Sequence, residues 1–168
     1  MTRLTALLNT HSFFSFGMGA SSPAKLVGQA AALGYTTVAL TDTLGVYGAV
    51  ELIRAAEQHG LKAVIGATLP LTHNGKTYPL VLLASSKEGY RTLNDLITLA
   101  KQGSATVTLS MLEAHNQDLH CLTGGRQGFP NQLIAHKNIT EAVYLLGALK
   151  LAFKDRLWLQ LFHDCYPW

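Results

Sequence analysis

The sequence predicts an α/β fold with a mainly parallel sheet, because strand-like and helix-like segments alternate along the chain. Runs of apolar and β-branched residues at 35–40, 61–71 and 77–85 have the composition of buried strands. Stretches at 23–33 and 48–60 instead repeat their apolar residues at helical spacing. This alternation indicates a sheet covered by helices, either open or forming part of a barrel.

The first elements carry clear start and stop signals. Residues 4–8 read as a short apolar strand. In the helix at 23–33, Ser22 suits the N-cap, Pro23 the first helical position and Gly34 the end. These signals fix the first strand–helix unit of the predicted sheet.

The next helix, at 48–60, ends at a glycine and places Val50, Ile53 and the pair 56–57 at helical spacing. This spacing predicts a helix. The turn sequence HNGK at 73–76 leads into the strand at 77–85.

The carboxyl-terminal half continues the alternation. A strongly amphipathic helix at 87–101 precedes a short strand at 104–109. Ser110 and Glu113 stand three residues apart and predict a capped helix over 110–115. The remaining predicted segments are a strand at 119–125, a helix at 139–153 and a final strand at 156–162.

The composition and charge of the chain limit which classes of protein fit the sequence. The 168 residues are 48% hydrophobic and only 14% charged, which indicates a globular chain rather than a disordered one. The net charge of +3 comes from scattered basic residues and predicts no nucleic-acid surface. Cys121 and Cys165 lie too far apart for a zinc knuckle, so we expect reduced cysteines and a cytoplasmic protein without membrane spans.

Candidate chemistry lies after the predicted strands, because active sites of parallel α/β folds form at the carboxyl ends of strands. Histidine and aspartate side chains in this group could converge on a metal ion. The residues at these positions are Asn9, His11, Ser12, Asp42, Thr43, Thr68, Gly124, Gly125, Arg126, His163 and Asp164.

Structural interpretations of the same residues remain open. His11 could be a solvated loop residue, and Asp42 could cap nearby backbone amides. The glycine-rich stretch LTGGRQG at 122–128 could cradle a phosphate or form a simple turn. Cys121 fits a small core residue.

Several ordered blocks of the sequence point to a family. They are HSFFSFGMGASSPAKLV, ALTDTLGVYGAVEL, GLKAVIGATL and LVLLASSKEGYRTLNDLIT, followed by LHCLTGGRQG and FKDRLWLQL. In order and spacing they resemble the PHP (polymerase and histidinol phosphatase) domain. The closest resemblance is to the form that opens the alpha subunit of bacterial DNA polymerase III and its error-prone relatives. The resemblance implies a partial or distorted TIM-like βα barrel, with 1–168 a single PHP segment that is incomplete at its carboxyl end.

The resemblance also implies where metal ligands would stand. Of the matched positions, His11 and Asp42 keep residues that could bind a metal, and His163 is an approximate match. Four other positions carry residues that differ from the family's imidazole or carboxylate ligands, namely Asn9, Thr43, Thr68 and Gln160. Because a catalytic centre needs several charged donors, these replacements predict no metal cluster and no phosphoesterase or proofreading activity.

By this resemblance, the chain is a degenerate module of a DNA-directed DNA polymerase acting in DNA replication or translesion repair. It is expected to have a structural and interaction role, no catalysis of its own and no cofactor, beyond at most weakly bound zinc or manganese. The expected partners are the remainder of the polymerase chain and a proofreading exonuclease subunit, with DNA bound only through the full polymerase and no membrane.

Two other functions remain open from the sequence. One is a metal-dependent phosphoesterase that uses a minimal site of His11, Asp42 and His163. The other is a nucleic-acid-binding module, which would require a basic face.

Overall fold

We describe the fold from a computed structural model, which describes residues 5–161. His163, Asp164 and Cys165 lie outside these residues. The helices and strands, in chain order, are β1 Ala6–Leu7, α1 Pro23–Ala32, β2 Thr37–Leu40, α2 Ala49–His59, β3 Lys62–His73, β4 Lys76–Ala84, α3 Lys87–Gln102, α4 Leu109–Ala114, β5 Leu119–Leu122, α5 Phe129–Ala135, α6 Ile139–Phe153 and β6 Leu157–Trp158. Short 3₁₀ helices precede α5 and β6.

The strands form one sheet in the order β1-β2-β3-β4-β5-β6. β1, β2 and β3 pair in parallel, and so do β5 and β6, whereas β4 runs antiparallel to both of its neighbours. The β3–β4 hairpin turns at Asn74 and Gly75, which both have positive φ, as a tight hairpin turn requires. The sheet also curls, so that its two edges approach each other. Asn9 Nδ2, beyond β1, lies 3.5 Å from Gln160 Oε1, beyond β6. The predicted fold class, an α/β partial barrel, is confirmed.

Helices cover the outer face of the curled sheet. α1 and α2 pack on β2 through a cluster that includes Val27, Val38 and Leu52. α3 and α6 pack on β3, β4 and β5 through a larger cluster that contains Leu82 and Phe153. Since successive strand residues point to opposite faces, the neighbours of these residues line the inside of the curl. The buried inner residues are Ala39, Val81, Leu83 and Leu122.

Most predicted elements are present, but three details were wrong. Residues 104–109 form no strand, since only Val107 makes an isolated bridge to β3. α4 begins one residue earlier than expected, and Thr108 rather than Ser110 is its N-cap. Thr108 takes this role because its hydroxyl accepts the Met111 amide.

The predicted helix α2 is present, and its buried face consists mainly of small residues. Val50 and Ile53 are exposed, and the smaller residues of the helix face the core instead. The buried α2 residues are Ala49, Leu52, Ala55 and Ala56. Alanines let α2 lie close to α1 and β2, so spacing alone did not identify the buried face.

Candidate functional site

A cleft of about 410 Å³ opens at the end of the sheet where β1 and β2 terminate. Its walls come from the segments that follow β1, β2, β5 and β6 and from residues within β3 and β4. The cleft brings together eight of the residues that the sequence pointed to as site positions: Asn9, His11, Thr43, Thr68, Gly124, Gly125, Arg126 and Gln160. It also includes Met18, which the sequence analysis did not identify because a methionine in a loop carries no chemical signal.

Thr68 reaches the cleft from within a strand, as the strand predicted at 61–71 implies, whereas its assignment to the end of that strand was wrong. β3 continues past Thr68 to His73, and at this point Thr68 pairs with Thr43 in an isolated parallel bridge. The Thr68 amide donates to the Asp42 carbonyl at 3.1 Å, and the Leu44 amide donates to the Thr68 carbonyl at 3.0 Å. This bridge extends the β2–β3 pairing beyond the end of β2 and holds both threonines at the cleft.

The Asp42 carboxylate is buried and accepts hydrogen bonds from the loop that follows β1. Its Oδ1 accepts the Ser12 amide at 2.7 Å and the Ser15 hydroxyl at 2.6 Å, while its Oδ2 accepts the Ser12 hydroxyl at 2.7 Å. The Ser15 hydroxyl in turn accepts the Thr43 amide at 3.0 Å. Of the two interpretations of Asp42, this geometry favours the structural one, a carboxylate that caps backbone and hydroxyl groups.

His11 is bound to a threonine in this arrangement. Its Nε2 lies 3.1 Å from Thr68 Oγ1, and that hydroxyl donates its hydrogen to the Thr41 carbonyl at 2.9 Å. The Thr68 oxygen therefore accepts a hydrogen bond from His11, so the His11 ring carries a hydrogen on Nε2. Burial lowers the pKa of His11 below its ordinary value, and the charge of Asp42 opposes this shift only partly.

Neutral amides join the two edges of the sheet at the cleft. The Asn9 side chain donates a hydrogen bond to the Gln160 side chain. Its Oδ1 accepts a hydrogen bond from the Thr41 hydroxyl at 3.0 Å. The Gln160 backbone amide donates to the Thr123 hydroxyl beyond β5 at 3.1 Å. These two amides thus have a structural role, with each bonded to the protein itself.

The glycine-rich loop after β5 needs its glycines for packing. Gly124 has φ +81°, and a Cβ there would lie 2.0 Å from the Pro79 carbonyl oxygen. Gly125 lies against the Gln160 side chain. The close approach of β4 explains the glycines without a ligand, while the Arg126 beside them lines the cleft.

The cleft carries no carboxylate among the described residues that line it. In residues 5–161, no group of three or more histidine, cysteine, aspartate or glutamate side chains is arranged to hold a metal ion. The buried Cys121 lies in the core, where burial raises the pKa of its thiol. No helix in the described part of the chain has the length and apolar character needed to cross a membrane.

Comparison with known proteins identifies the family. The PHP domain model matches residues 8–162. This chain belongs to the PHP domain family.

Curated relatives of the chain are DNA polymerases. It is 35% identical to the error-prone DNA polymerase of Mycobacterium bovis over 96% of the chain, and 32% identical to the DNA polymerase III subunit alpha of Buchnera aphidicola over 92%. The matches span only 16% and 14% of those two relatives. The chain thus corresponds to one part of much longer polymerase chains.

A solved structure supports the fold. It is a two-domain protein of Bacteroides vulgatus that contains a predicted PHP-like metal-dependent phosphoesterase, with a TM-score of 0.56 and 14% identity. The match covers 86% of this chain and 42% of that protein. It confirms the architecture of the PHP fold for this chain.

Replacing the buried carboxylate should destabilise the chain. In Asp42→Ala, the Ser12 and Ser15 groups lose their acceptor in a buried site, so we expect the free energy of unfolding to fall by about 3 kcal/mol in urea denaturation. The matched change in the exposed Asp155, Asp155→Ala, should cost less than about 0.5 kcal/mol. A loss below about 1 kcal/mol for Asp42→Ala would contradict the structural role.

The lowered pKa of His11 predicts a pH-dependent stability. Because the folded pKa lies below the unfolded value of 6.5, the unfolded chain binds the proton more readily. The free energy of unfolding should therefore be at its full value above pH 6.5 and fall as the pH drops toward the folded pKa. His11→Gln should flatten this part of the urea-denaturation pH profile, and identical profiles for the two proteins would show that His11 is not responsible.

Proposed function

We propose that this chain is a PHP domain without a catalytic metal centre, and that it serves as a structural and interaction module of a DNA polymerase. The polymerase would resemble the DNA polymerase III alpha subunit or its error-prone relatives and act in replication or translesion repair. The observation that carries the proposal is the donor set of the cleft, in which neutral amides and hydroxyls occupy positions where the family resemblance implies ligands.

The side chains of the cleft fit a divalent ion poorly. Thr43 and Thr68 are neutral hydroxyls, and a metal that activates water needs several imidazole or carboxylate donors. Asn9 and Gln160 are neutral as well and bond to each other. A cation in this cleft would therefore lack the negative field that holds it in a catalytic site.

The two described residues that could still bind a metal are engaged elsewhere. Both Asp42 oxygens accept hydrogen bonds from the loop after β1. His11 donates through Nε2 to Thr68. Hydrogen bonds within the protein thus already occupy both Asp42 oxygens and one ring nitrogen of His11, which disfavours the metal-dependent alternative.

The outer surface of α6 supports an interaction role. Leu145, Leu149 and Phe153 fill the core, yet apolar side chains also occupy the opposite side of the helix. Helices that are apolar all round are normally buried. The exposed apolar residues of α6 are Ile139, Val143, Tyr144 and Leu151, with exposed fractions from 58% to 80%.

We assign the occupant of this α6 surface to the polymerase region of the protein. The relatives that the chain matches extend far beyond the matched part, so neighbouring polymerase segments are the contacts that such a surface would meet. A more specific version of this interaction role is the docking of a proofreading exonuclease subunit. DNA would be bound only through the full polymerase.

Restoring the family's ligand types should create metal binding that the natural chain lacks. We expect the purified chain to retain no manganese or zinc after dialysis and to hydrolyse no p-nitrophenyl phosphate with either metal. The combined variant Asn9→His, Thr43→His, Thr68→Glu and Gln160→Glu should gain bound metal, measured by inductively coupled plasma mass spectrometry. Near-stoichiometric metal in the natural chain, with hydrolysis lost in His11→Ala, would overturn the proposal in favour of the phosphoesterase.

Charges on α6 should prevent binding to the polymerase. We expect the chain to co-elute in size-exclusion chromatography with the polymerase region from the same organism. Val143→Glu with Leu151→Glu should abolish co-elution, because both carboxylates would be buried without partners.

The matched control is Leu33→Glu, which changes an equally exposed leucine at the end of α1. This control should co-elute as the natural chain does. The exonuclease subunit is tested in parallel, and failure of the natural chain to bind either protein would contradict the interaction role.

A further inference from the structure

The turn of the β3–β4 hairpin carries the one asparagine of the sequence that a glycine follows. The ladder pairs His73 with Lys76, so Asn74 and Gly75 are the two residues of the turn, and both are exposed. Their φ values of +48° and +71° are those of a tight hairpin turn. A Cβ built on Gly75 would meet no heavy atom of another segment within 4 Å, so nothing crowds the turn.

An asparagine that precedes a glycine can lose its side-chain amide without an enzyme. The backbone nitrogen of the glycine attacks the asparagine Cγ, a bond forms between these two atoms, and the bond from Cγ to Nδ2 breaks. Ammonia leaves and carries away the proton of the attacking nitrogen. One water then opens the resulting succinimide ring to aspartate or isoaspartate. Glycine favours the ring closure because it has no side chain to obstruct it.

Glu141, in the first turn of α6, holds the amide of Asn74. Its Oε1 accepts a hydrogen bond from Asn74 Nδ2 at 3.0 Å and another from His73 Nε2. The ring of the same histidine lies 5.8 Å from the ring of Tyr144 on α6. These contacts join the hairpin to α6. Ring closure requires the Asn74 side chain to leave Glu141 for the Gly75 nitrogen, so the reaction proceeds from a locally opened hairpin.

The product of the reaction cannot restore the bond to α6. A carboxylate at position 74 has no hydrogen to donate, and it would face the carboxylate of Glu141 at the place where the amide now donates. Two like charges at this separation repel each other. Isoaspartate would also add a carbon atom to the backbone of the two-residue turn. The hairpin would therefore lose part of its attachment to α6.

We propose that Asn74 is a site of spontaneous deamidation, that Glu141 slows the reaction, and that the product loosens the β3–β4 hairpin from α6. The inference goes beyond the proposed function, because it uses only the hairpin and the first turns of α6. It makes the age of the molecule a variable that acts on the side of α6 where Tyr144 lies.

The first test follows every asparagine of the purified chain separately. The chain is incubated at mildly alkaline pH, and its peptides are analysed over time by liquid chromatography and mass spectrometry, which resolve aspartate from isoaspartate. We expect Asn74 to react faster than the other asparagines. Glu141→Ala should speed the reaction at Asn74 about fivefold, because the lost hydrogen bond shifts the hairpin toward the open form.

The matched control is Glu57→Ala, which removes an exposed carboxylate from α2. It should leave the rate at Asn74 unchanged. The other asparagines report any general unfolding of Glu141→Ala. An acceleration confined to Asn74 would support the protective role, and an equal acceleration at every asparagine would contradict it.

The second test measures the consequence of the product by amide hydrogen exchange. Asn74→Asp should speed exchange of the β3–β4 hairpin about fivefold, since repulsion replaces a hydrogen bond. Asn74→Gly removes the same hydrogen bond without adding a charge, and its effect should be smaller. In a Glu141→Gln background the effect of Asn74→Asp should shrink, because the repelling charge is absent.

Three results would overturn the inference. They are an Asn74 that outlasts the other asparagines, a rate that rises equally in Glu57→Ala, and hairpin exchange that Asn74→Asp leaves unchanged. None of these measurements involves metal binding or the polymerase. Their failure would therefore leave the proposed function intact.

Discussion

The buried carboxylate of Asp42 is the constraint on which the site depends. It lies two residues after the end of β2 and binds three groups of the loop that follows β1. Through the same loop, Ser15 binds the Thr43 amide, so the ends of the first two strands are held together. Removing the charge would leave buried donors without an acceptor, which explains why an aspartate is suited to this place.

The hydrogen bonds of the cleft form a second network that depends on the first. His11 stands in the loop that Asp42 fixes, and its bond to Thr68 connects the loop to β3. Asn9 and Gln160 connect the outer strands in the same way. Four of the positions that the family resemblance assigns to metal ligands thus bind one another in two pairs, His11 with Thr68 and Asn9 with Gln160, and we infer that direct bonds replace the ion as the connection between strands.

The sequence predicted the fold better than the site. Alternating segments and capping residues such as Ser22 located most helices and strands, since these signals act within a few residues. The exposed side of α2 depends on how the helix packs against α1 and β2, which a local pattern does not report. The engagement of Asp42 by Ser12 and Ser15 could not be predicted, because a short polar sequence fits a metal ligand and a capping carboxylate equally well.

The central claim is that direct hydrogen bonds have replaced the metal centre, and crystals soaked in manganese test it most directly. Anomalous diffraction measured near the manganese absorption edge would report any ion in the cleft. The account predicts no anomalous peak within bonding distance of His11 or Asp42, with the bonds to Thr68, Ser12 and Ser15 unchanged. A strong peak coordinated by these two side chains would contradict it.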